Sequence, residues 1–129
     1  METDERILAI LGDRFVPYCG ITLAKEADGT IVSRVTVDER HKNANDYVNG
    51  GMLYTLADIC AGAAISYPEK NIATLDSSFH FLKNVKSGTI TCRAIPVRIG
   101  RKISVIRTET RSEDGTLLCT GDFTFYRVS

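Results

Sequence analysis

One acidic residue, Asp58, lies in a long apolar run near the middle of the chain. It is the single charged residue between positions 50 and 67, where most side chains are apolar or small. A carboxylate buried alone costs several kcal/mol unless it is paired or neutralised. Two interpretations stay open. Asp58 is a structural acid that accepts hydrogen bonds from Thr74 or Tyr54, or it is a general base or nucleophile poised by partial burial.

Two glycines, Gly50 and Gly51, begin the same run. If the run is a helix, the backbone N–H groups at its start have no partner within the helix. Such amides stabilise anions, including the oxyanion that forms when water attacks a carbonyl group. The alternative is that Gly50 and Gly51 only make a tight turn into the helix.

The spacing of Gly51 and Asp58 has a consequence for assembly. Along one helix the two residues are separated by about 10 Å. An attacking water and the oxyanion that it generates lie only about 3 Å apart. If both residues are catalytic, Gly51 of one subunit must therefore face Asp58 of another subunit.

Composition excludes several classes of protein. The 129 residues, 43% of them hydrophobic, suffice for one domain over 1–129 with its own core. Lys and Arg number 16, as do Asp and Glu, so the chain lacks the basic excess of a non-specific nucleic-acid binder. The cysteines are far apart, and neither His41 nor His80 has zinc-ligand spacing from one, so we expect reduced thiols and no metal. No signal-peptide pattern is present, and we expect a cytoplasmic protein.

Hydrophobic patterning predicts two helices and six strands. The central helix covers 50–67, and with a carboxylate inside it and no basic flanks we expect a buried helix rather than a membrane span. Asp28-Gly29 predicts a hairpin turn, and Pro96 predicts a bulge or an edge. The other elements are a helix over 3–11 within an N-terminal segment 1–14, and strands over 16–25, 30–37, 72–82, 89–99, 102–111 and 117–128.

The order of these elements predicts an α+β architecture. Short connections imply antiparallel neighbours. A helix that is apolar almost all round needs cover on most sides, which a curved antiparallel sheet wrapped around it can provide. The sheet alone hardly encloses the helix, so we expect a second subunit to complete its burial.

The residues of the loop and helix start carry a resemblance to a known family. The pattern is His41-x-Asn43, then Gly50-Gly51, then Leu-Ala-Asp ending at Asp58. It resembles the hotdog-fold acyl-CoA thioesterases of the phenylacetic-acid-degradation type. Two positions depart from that pattern, because Asn49 replaces the family's His and Asp46 replaces a Gly. Weaker matches follow at Thr74-Leu75-Asp76, Phe81-Leu82-Lys83, Gly100-Arg101 and Asp114-Gly115.

The resemblance implies a hotdog fold, assembled as a dimer or tetramer, that hydrolyses acyl-CoA at composite sites between subunits. Asp58 would activate water and the Gly51 amide would hold the oxyanion, with Asn43 beside Gly51 and Thr74 beside Asp58. Asn49 can donate a hydrogen bond but cannot act as an acid or base. No metal or redox cofactor is implied, and coenzyme A enters as part of the substrate. The residues expected to bind substrate are Gly50, Lys83, Asn84, Lys86, Arg98 and Arg101.

Three other functions remain open. An acyl-thioester dehydratase or hydratase would keep the fold, but the chain has no His between His41 and His80. A non-catalytic acyl-CoA binder would account for Asn49. A dimeric structural domain would need only a satisfied Asp58. Cys60 is expected to be an inert packing residue rather than a nucleophile.

Overall fold

The computed structural model describes residues 14–65 and 72–128. The helix predicted over 3–11 and the last two positions of the predicted central helix lie outside the described residues. The described helices are α1 (Phe15–Tyr18), a 3-10 turn (Glu39–His41) and α2 (Gly50–Ala64). The strands are β1 (Thr22–Lys25), β2 (Ile31–Thr36), β3 (Ile72–Phe81), β4 (Thr89–Ile99), β5 (Ile103–Arg111) and β6 (Leu117–Arg127).

The six strands form one antiparallel sheet in the order β1-β2-β4-β5-β6-β3. Helix α2 packs against five of them, β2 to β6, which requires the sheet to curve around the helix. Leu53, Leu56 and Cys60 of the helix meet the inward-facing side chains of the sheet, such as Ile106 and Phe123, in one core. The predicted α+β hotdog architecture is therefore confirmed.

Residues 16–25 do not form one strand, and that prediction is wrong. The first part of this segment belongs to α1, and only Thr22–Lys25 is extended. Pro17 lies in the first turn of α1, where its missing N–H costs no helical hydrogen bond. Gly20 has φ +73°, which separates the helix from the strand.

Two local predictions are confirmed. The β1–β2 hairpin turns at Asp28-Gly29, where Gly29 has φ +92° and the Asp28 carboxylate accepts a hydrogen bond of 3.0 Å from the Thr30 amide. The pairing of β4 with β5 shifts register between Pro96 and Arg98, which is the bulge expected at a proline inside a strand.

Strand β3 is the edge strand at the end of the sheet opposite β1, and much of it is exposed. Leu75 and Phe81 are 60% and 57% exposed, although both are large apolar residues. A ten-residue edge strand leaves a row of backbone groups without a sheet partner.

Among residues 14–65 and 72–128, no helix is long and apolar enough to cross a membrane.

Candidate active site

Asp58 lies half-buried in the middle of α2, facing strand β3. The Thr74 hydroxyl donates a 2.6 Å hydrogen bond to its Oδ1 atom. Burial raises the pKa of the Asp58 carboxyl above its usual range, and the hydrogen bond from Thr74 partly offsets that rise. A carboxylate with a raised pKa and an oriented hydrogen bond is suited to accept a proton.

Tyr54, the other expected partner of Asp58, makes a different contact. Its hydroxyl forms a 2.7 Å hydrogen bond with the Ser77 hydroxyl on β3. The Tyr54 ring packs edge-on against Phe79, with 5.2 Å between the ring centroids. Thr74, not Tyr54, is therefore the described residue that holds the Asp58 carboxylate.

Asn49 caps the start of α2. Its Oδ1 atom accepts a 2.7 Å hydrogen bond from the Gly51 amide, and its carbonyl accepts hydrogen bonds from the amides of Met52 and Leu53. Asn is among the best residues at this position because its side chain satisfies a helix-start donor. The Gly51 amide, expected to hold the oxyanion, is thus already engaged within the chain.

The Gly50 amide is the remaining backbone donor at the start of α2, because the amides of Gly51, Met52 and Leu53 are hydrogen-bonded to Asn49. Among the described residues, none accepts a hydrogen bond from it. The ring of Phe81 lies beside Gly50, 3.4 Å from the place that a β-carbon would occupy. Among the described residues, the Gly50 amide is therefore available to an incoming acceptor, whereas the Gly51 amide is engaged by Asn49.

Asn43 is used in the loop that precedes the helix. Its Oδ1 atom accepts hydrogen bonds from the amides of Asn45 (2.9 Å) and Tyr47 (3.1 Å). Asn side chains often stabilise turns in this way. The described chain shows this turn-forming role, and within it no hydrogen bond joins Asn43 to Gly51.

Asp46, where the family has Gly, has φ +71° in the same loop. Glycine adopts this left-handed conformation without steric cost, whereas other L-residues pay about 1 kcal/mol. We expect Asp46→Ala to lower the free energy of unfolding by about 1 kcal/mol relative to Asp46→Gly. Urea unfolding of the two variants measures this difference. Both variants lose the Lys42–Asp46 ion pair equally, so identical unfolding midpoints would contradict the expectation.

His41 is buried and holds the loop in place. Its Nδ1 atom accepts a 3.0 Å hydrogen bond from the Asp38 amide, so Nε2 carries the proton that it donates to the Cys19 carbonyl at 2.7 Å. The His41 carbonyl in turn accepts a 2.7 Å hydrogen bond from the Asn49 amide. The ring therefore positions the loop that leads to the helix start and is not free for proton transfer.

A cavity of about 440 Å³ opens beside the helix start. Asp58 does not line this cavity, although it lies on the same helix as Gly51 and Thr55, which do. Gly51, Thr55 and Asp58 nevertheless follow one another along a single face of α2, and none of the three is fully buried. The cavity is lined by Phe15, Tyr18, Cys19, Arg40, His41, Lys42, Asn49, Gly51, Met52 and Thr55.

The four basic residues expected to bind substrate fall into two groups. Lys83 and Lys86 are exposed in the linker between β3 and β4, beside the loop before α2, where the Lys86 ammonium lies 4.9 Å from the centre of the Tyr47 ring. Arg98 and Arg101 are exposed at the opposite end of β4, roughly 30 Å away along the strand. One chain does not bring the two groups together.

The cysteine thiols are not placed for nucleophilic chemistry. All four cysteines are buried. Burial raises the pKa of the Cys60 thiol well above its usual range, so the thiolate needed for nucleophilic attack is disfavoured. Among residues 14–65 and 72–128, no three His, Cys, Asp or Glu side chains are grouped so that they could hold a metal ion.

Comparison with known proteins places these features in context. Residues 45–119, which include α2 and the second half of the loop before it, match the family model described as the thioesterase superfamily. A thioesterase from Haemophilus influenzae is 27% identical, with 98% of this chain and 90% of that chain aligned and a TM-score of 0.85. A variant of the phenylacetic acid degradation protein PaaI from Thermus thermophilus is also 27% identical, with 89% of this chain and 99% of that chain aligned and a TM-score of 0.79.

A hypothetical thioesterase from Streptococcus pneumoniae, solved with coenzyme A, is 26% identical. The alignment covers 83% of this chain and 84% of that chain, with a TM-score of 0.73. Two further structures from the same species are variants of a hypothetical thioesterase in which an Asp or a Thr is replaced by Ala. Those two positions are 16 residues apart, as are Asp58 and Thr74.

Proposed function

Because the chain belongs to the thioesterase superfamily, we propose that it hydrolyses acyl-CoA thioesters at sites shared between two subunits. In each site, Asp58 of one subunit activates water and the Gly50 amide of the other subunit holds the oxyanion. The observation that carries this proposal is a single helix with an unpaired amide at its start and a half-buried, hydrogen-bonded carboxylate further along. The coenzyme A bound to the pneumococcal relative supports the substrate class.

The reaction begins when the Asp58 carboxylate takes a proton from water. The water oxygen bonds to the thioester carbon, and the carbonyl electron pair moves onto its oxygen, where the Gly50 N–H stabilises the charge. The carbonyl then re-forms and the C–S bond breaks, with the electron pair leaving on sulfur. Asp58 returns its proton to the thiolate, so the products are the free acid and coenzyme A, with no metal or redox cofactor used.

The two roles come from different subunits because of helix geometry. Gly50 and Asp58 lie about 12 Å apart along α2, too far for both to reach one carbonyl group. The face of α2 that carries Gly51, Thr55 and Asp58 is incompletely covered by the described chain. A second subunit on this face would bring its own α2 start to Asp58 and bury the helix.

Strand β3 supports the same assembly. It is a long edge strand, it carries Thr74, and its exposed side chains include Leu75. Exposed apolar edge strands commonly pair with another chain. In the proposed dimer β3 therefore contributes both the subunit contact and the hydrogen bond to Asp58.

Asn49 supplies a second oxyanion donor in this proposal. Its Oδ1 atom is fixed by the Gly51 amide, which leaves the Nδ2 group at the cavity that Asn49 lines. This donor takes the place of the family's His without offering acid–base chemistry.

We expect Asn49→Ser to lower kcat about 10- to 100-fold, the cost of one hydrogen bond to a charged group. Serine is an equally good helix cap, so the thermal unfolding temperature should change little. Steady-state kinetics and thermal unfolding of the same preparation check both parts. A kcat equal to that of the wild type would remove Asn49 from the oxyanion site.

Basic residues complete the proposed site. Coenzyme A carries phosphate groups, which lysine and arginine bind by charge-assisted hydrogen bonds. Lys83 and Lys86 approach from the subunit that provides Gly50, whereas Arg98 and Arg101 belong to the other end of the sheet. We propose that the two groups reach one coenzyme only from different subunits.

The experiment that tests the function is a free-thiol assay over short-chain, medium-chain and aryl acyl-CoA substrates. The four native cysteines are buried and so contribute little background. Release of coenzyme A that depends on enzyme concentration is the expected result. Binding of coenzyme A without release of thiol from any of these substrates would instead identify a non-catalytic binder. The replacement of the family's His by Asn49 would then explain the loss of activity.

A further inference from the structure

Asn84 lies in the linker between β3 and β4, and both ends of its side-chain amide are used within the chain. Its Nδ2 group donates a 2.8 Å hydrogen bond to the Val48 carbonyl, and its Oδ1 atom accepts a 2.8 Å hydrogen bond from the Val85 amide. The Val48 amide donates to the Val85 carbonyl at 3.1 Å, which adds a second link between the two segments. Asn84 is therefore engaged with the loop before α2, and the substrate contact expected from the sequence stays a prediction.

These contacts fix the peptide unit that joins Val48 to Asn49. Its carbonyl is held by Asn84, and its N–H donates a 2.7 Å hydrogen bond to the carbonyl of His41 on the other side. The Val48 side chain is fully buried, so the unit cannot shift as a whole. With this peptide plane fixed, the backbone angles of Asn49 (φ −60°, ψ 133°) set the direction of the next N–H, which belongs to Gly50.

We infer that Asn84 is a positioning residue for the oxyanion amide. It acts through Val48 and Asn49 and does not touch the substrate. The inference rests on the proposed role of the Gly50 amide. Rotation of the Val48–Asn49 peptide would turn the Gly50 N–H away from the carbonyl oxygen, and a displacement of about 1 Å at a catalytic group costs on the order of 100-fold in rate.

The test replaces Asn84 by Asp. Asn84→Asp keeps the Oδ1 acceptor for the Val85 amide and removes the donor to the Val48 carbonyl. We expect kcat to fall about 10- to 100-fold, with KM for the acyl-CoA within about twofold of the wild type because no substrate contact is lost. A rise in KM at unchanged kcat, or no change in either constant, would overturn the inference.

Asp114→Ala serves as the matched control. Asp114 is exposed in the β5–β6 turn, where its carboxylate accepts hydrogen bonds from Ser112 and from the Thr116 amide. Its loss weakens a turn whose hydrogen bonds do not involve Val48, Asn49 or Gly50, so this variant reports the effect of lower stability alone. We expect Asp114→Ala to leave kcat and KM unchanged, and a kcat loss equal to that of Asn84→Asp would show that the effect of Asn84 is only structural.

A second measurement keeps the positioning role separate from the proposed function. In protein labelled with ¹⁵N-glycine, we expect the Gly50 amide resonance to move in Asn84→Asp and to stay in place in Asp114→Ala. This readout needs no catalysis, so it tests the contact even if no acyl-CoA is hydrolysed. If Asn84→Asp does not fold, Asn84→Ala takes its place, and an unmoved Gly50 resonance in the folded variant would overturn the inference.

Discussion

Asp58→Asn is expected to lower kcat by about 10²- to 10⁴-fold, the usual contribution of a general base. Asn has nearly the shape of Asp and can still accept the hydrogen bond from Thr74, but it cannot take a proton from water. KM should change little because the amide removes no contact with coenzyme A. The free-thiol assay under saturating substrate measures the loss, and turnover near that of the wild type would exclude Asp58 from the mechanism.

The same substitution should not destabilise the protein. Because burial raises the pKa of Asp58 in the folded state, its contribution to stability is fully present below the unfolded pKa and is lost as the pH rises through the folded pKa. Above the raised pKa the ionised carboxylate therefore opposes folding, and the neutral amide does not. Thermal unfolding of Asp58→Asn at pH 7 should give a midpoint equal to or above that of the wild type, which separates lost catalysis from lost structure.

The pH profile offers a further check on the same carboxylate. Activity should fall as the pH decreases through the raised pKa of Asp58, because the protonated acid cannot act as a base. Thr74→Val removes the hydrogen bond that lowers this pKa, so it should move the acid limb of the profile to higher pH. An acid limb that stays in place would show that another group controls it.

Gly50→Pro is expected to lower kcat by about 10²- to 10³-fold, the cost of losing one oxyanion donor. Proline removes the N–H of this residue and nothing else that α2 needs, because the first helical position makes no N–H bond within the helix. The residue before it, Asn49, has ψ 133°, which is the extended conformation that a following proline requires. The substitution is thus close to an atomic deletion of the proposed donor.

Gly50→Ala is the matched control for the proline variant. It keeps the N–H group, and its added methyl would lie 3.4 Å from the Phe81 ring at the tight end of ordinary packing. We expect the alanine variant to retain most of its turnover while the proline variant loses it. Equal losses in the two variants would mean that space beside Phe81, not the Gly50 amide, limits the reaction.

The elements that carry strong local patterns could be predicted from the sequence. The apolar run after Gly50 forms α2, and the bulge appears at Pro96 because proline cannot donate to a neighbouring strand. The sequence does not predict the short helix at Phe15–Tyr18, because its continuous run of apolar and aromatic residues also suits a strand. Too few residues lie in that helix for a helical period to be recognisable.

The candidate site was predictable in its residue types but not in its hydrogen bonds. Asp58 and Thr74 were expected to lie together, and the structure places them in contact. The occupied Gly51 amide depends on the side-chain orientation of Asn49, and the contact of Asn84 with Val48 joins positions 36 residues apart. No periodicity encodes such contacts, since they form only when the fold brings the segments together.

The most direct test of the shared site mixes two inactive variants. Differently tagged Asp58→Asn and Gly50→Pro chains are coexpressed, and the mixed dimer is purified by both tags. In it, the intact Gly50 amide of one subunit meets the intact Asp58 of the other at one of its two sites, so we predict about half of the wild-type turnover per dimer. Mixed dimers as inactive as the two parents would contradict a site built from both subunits.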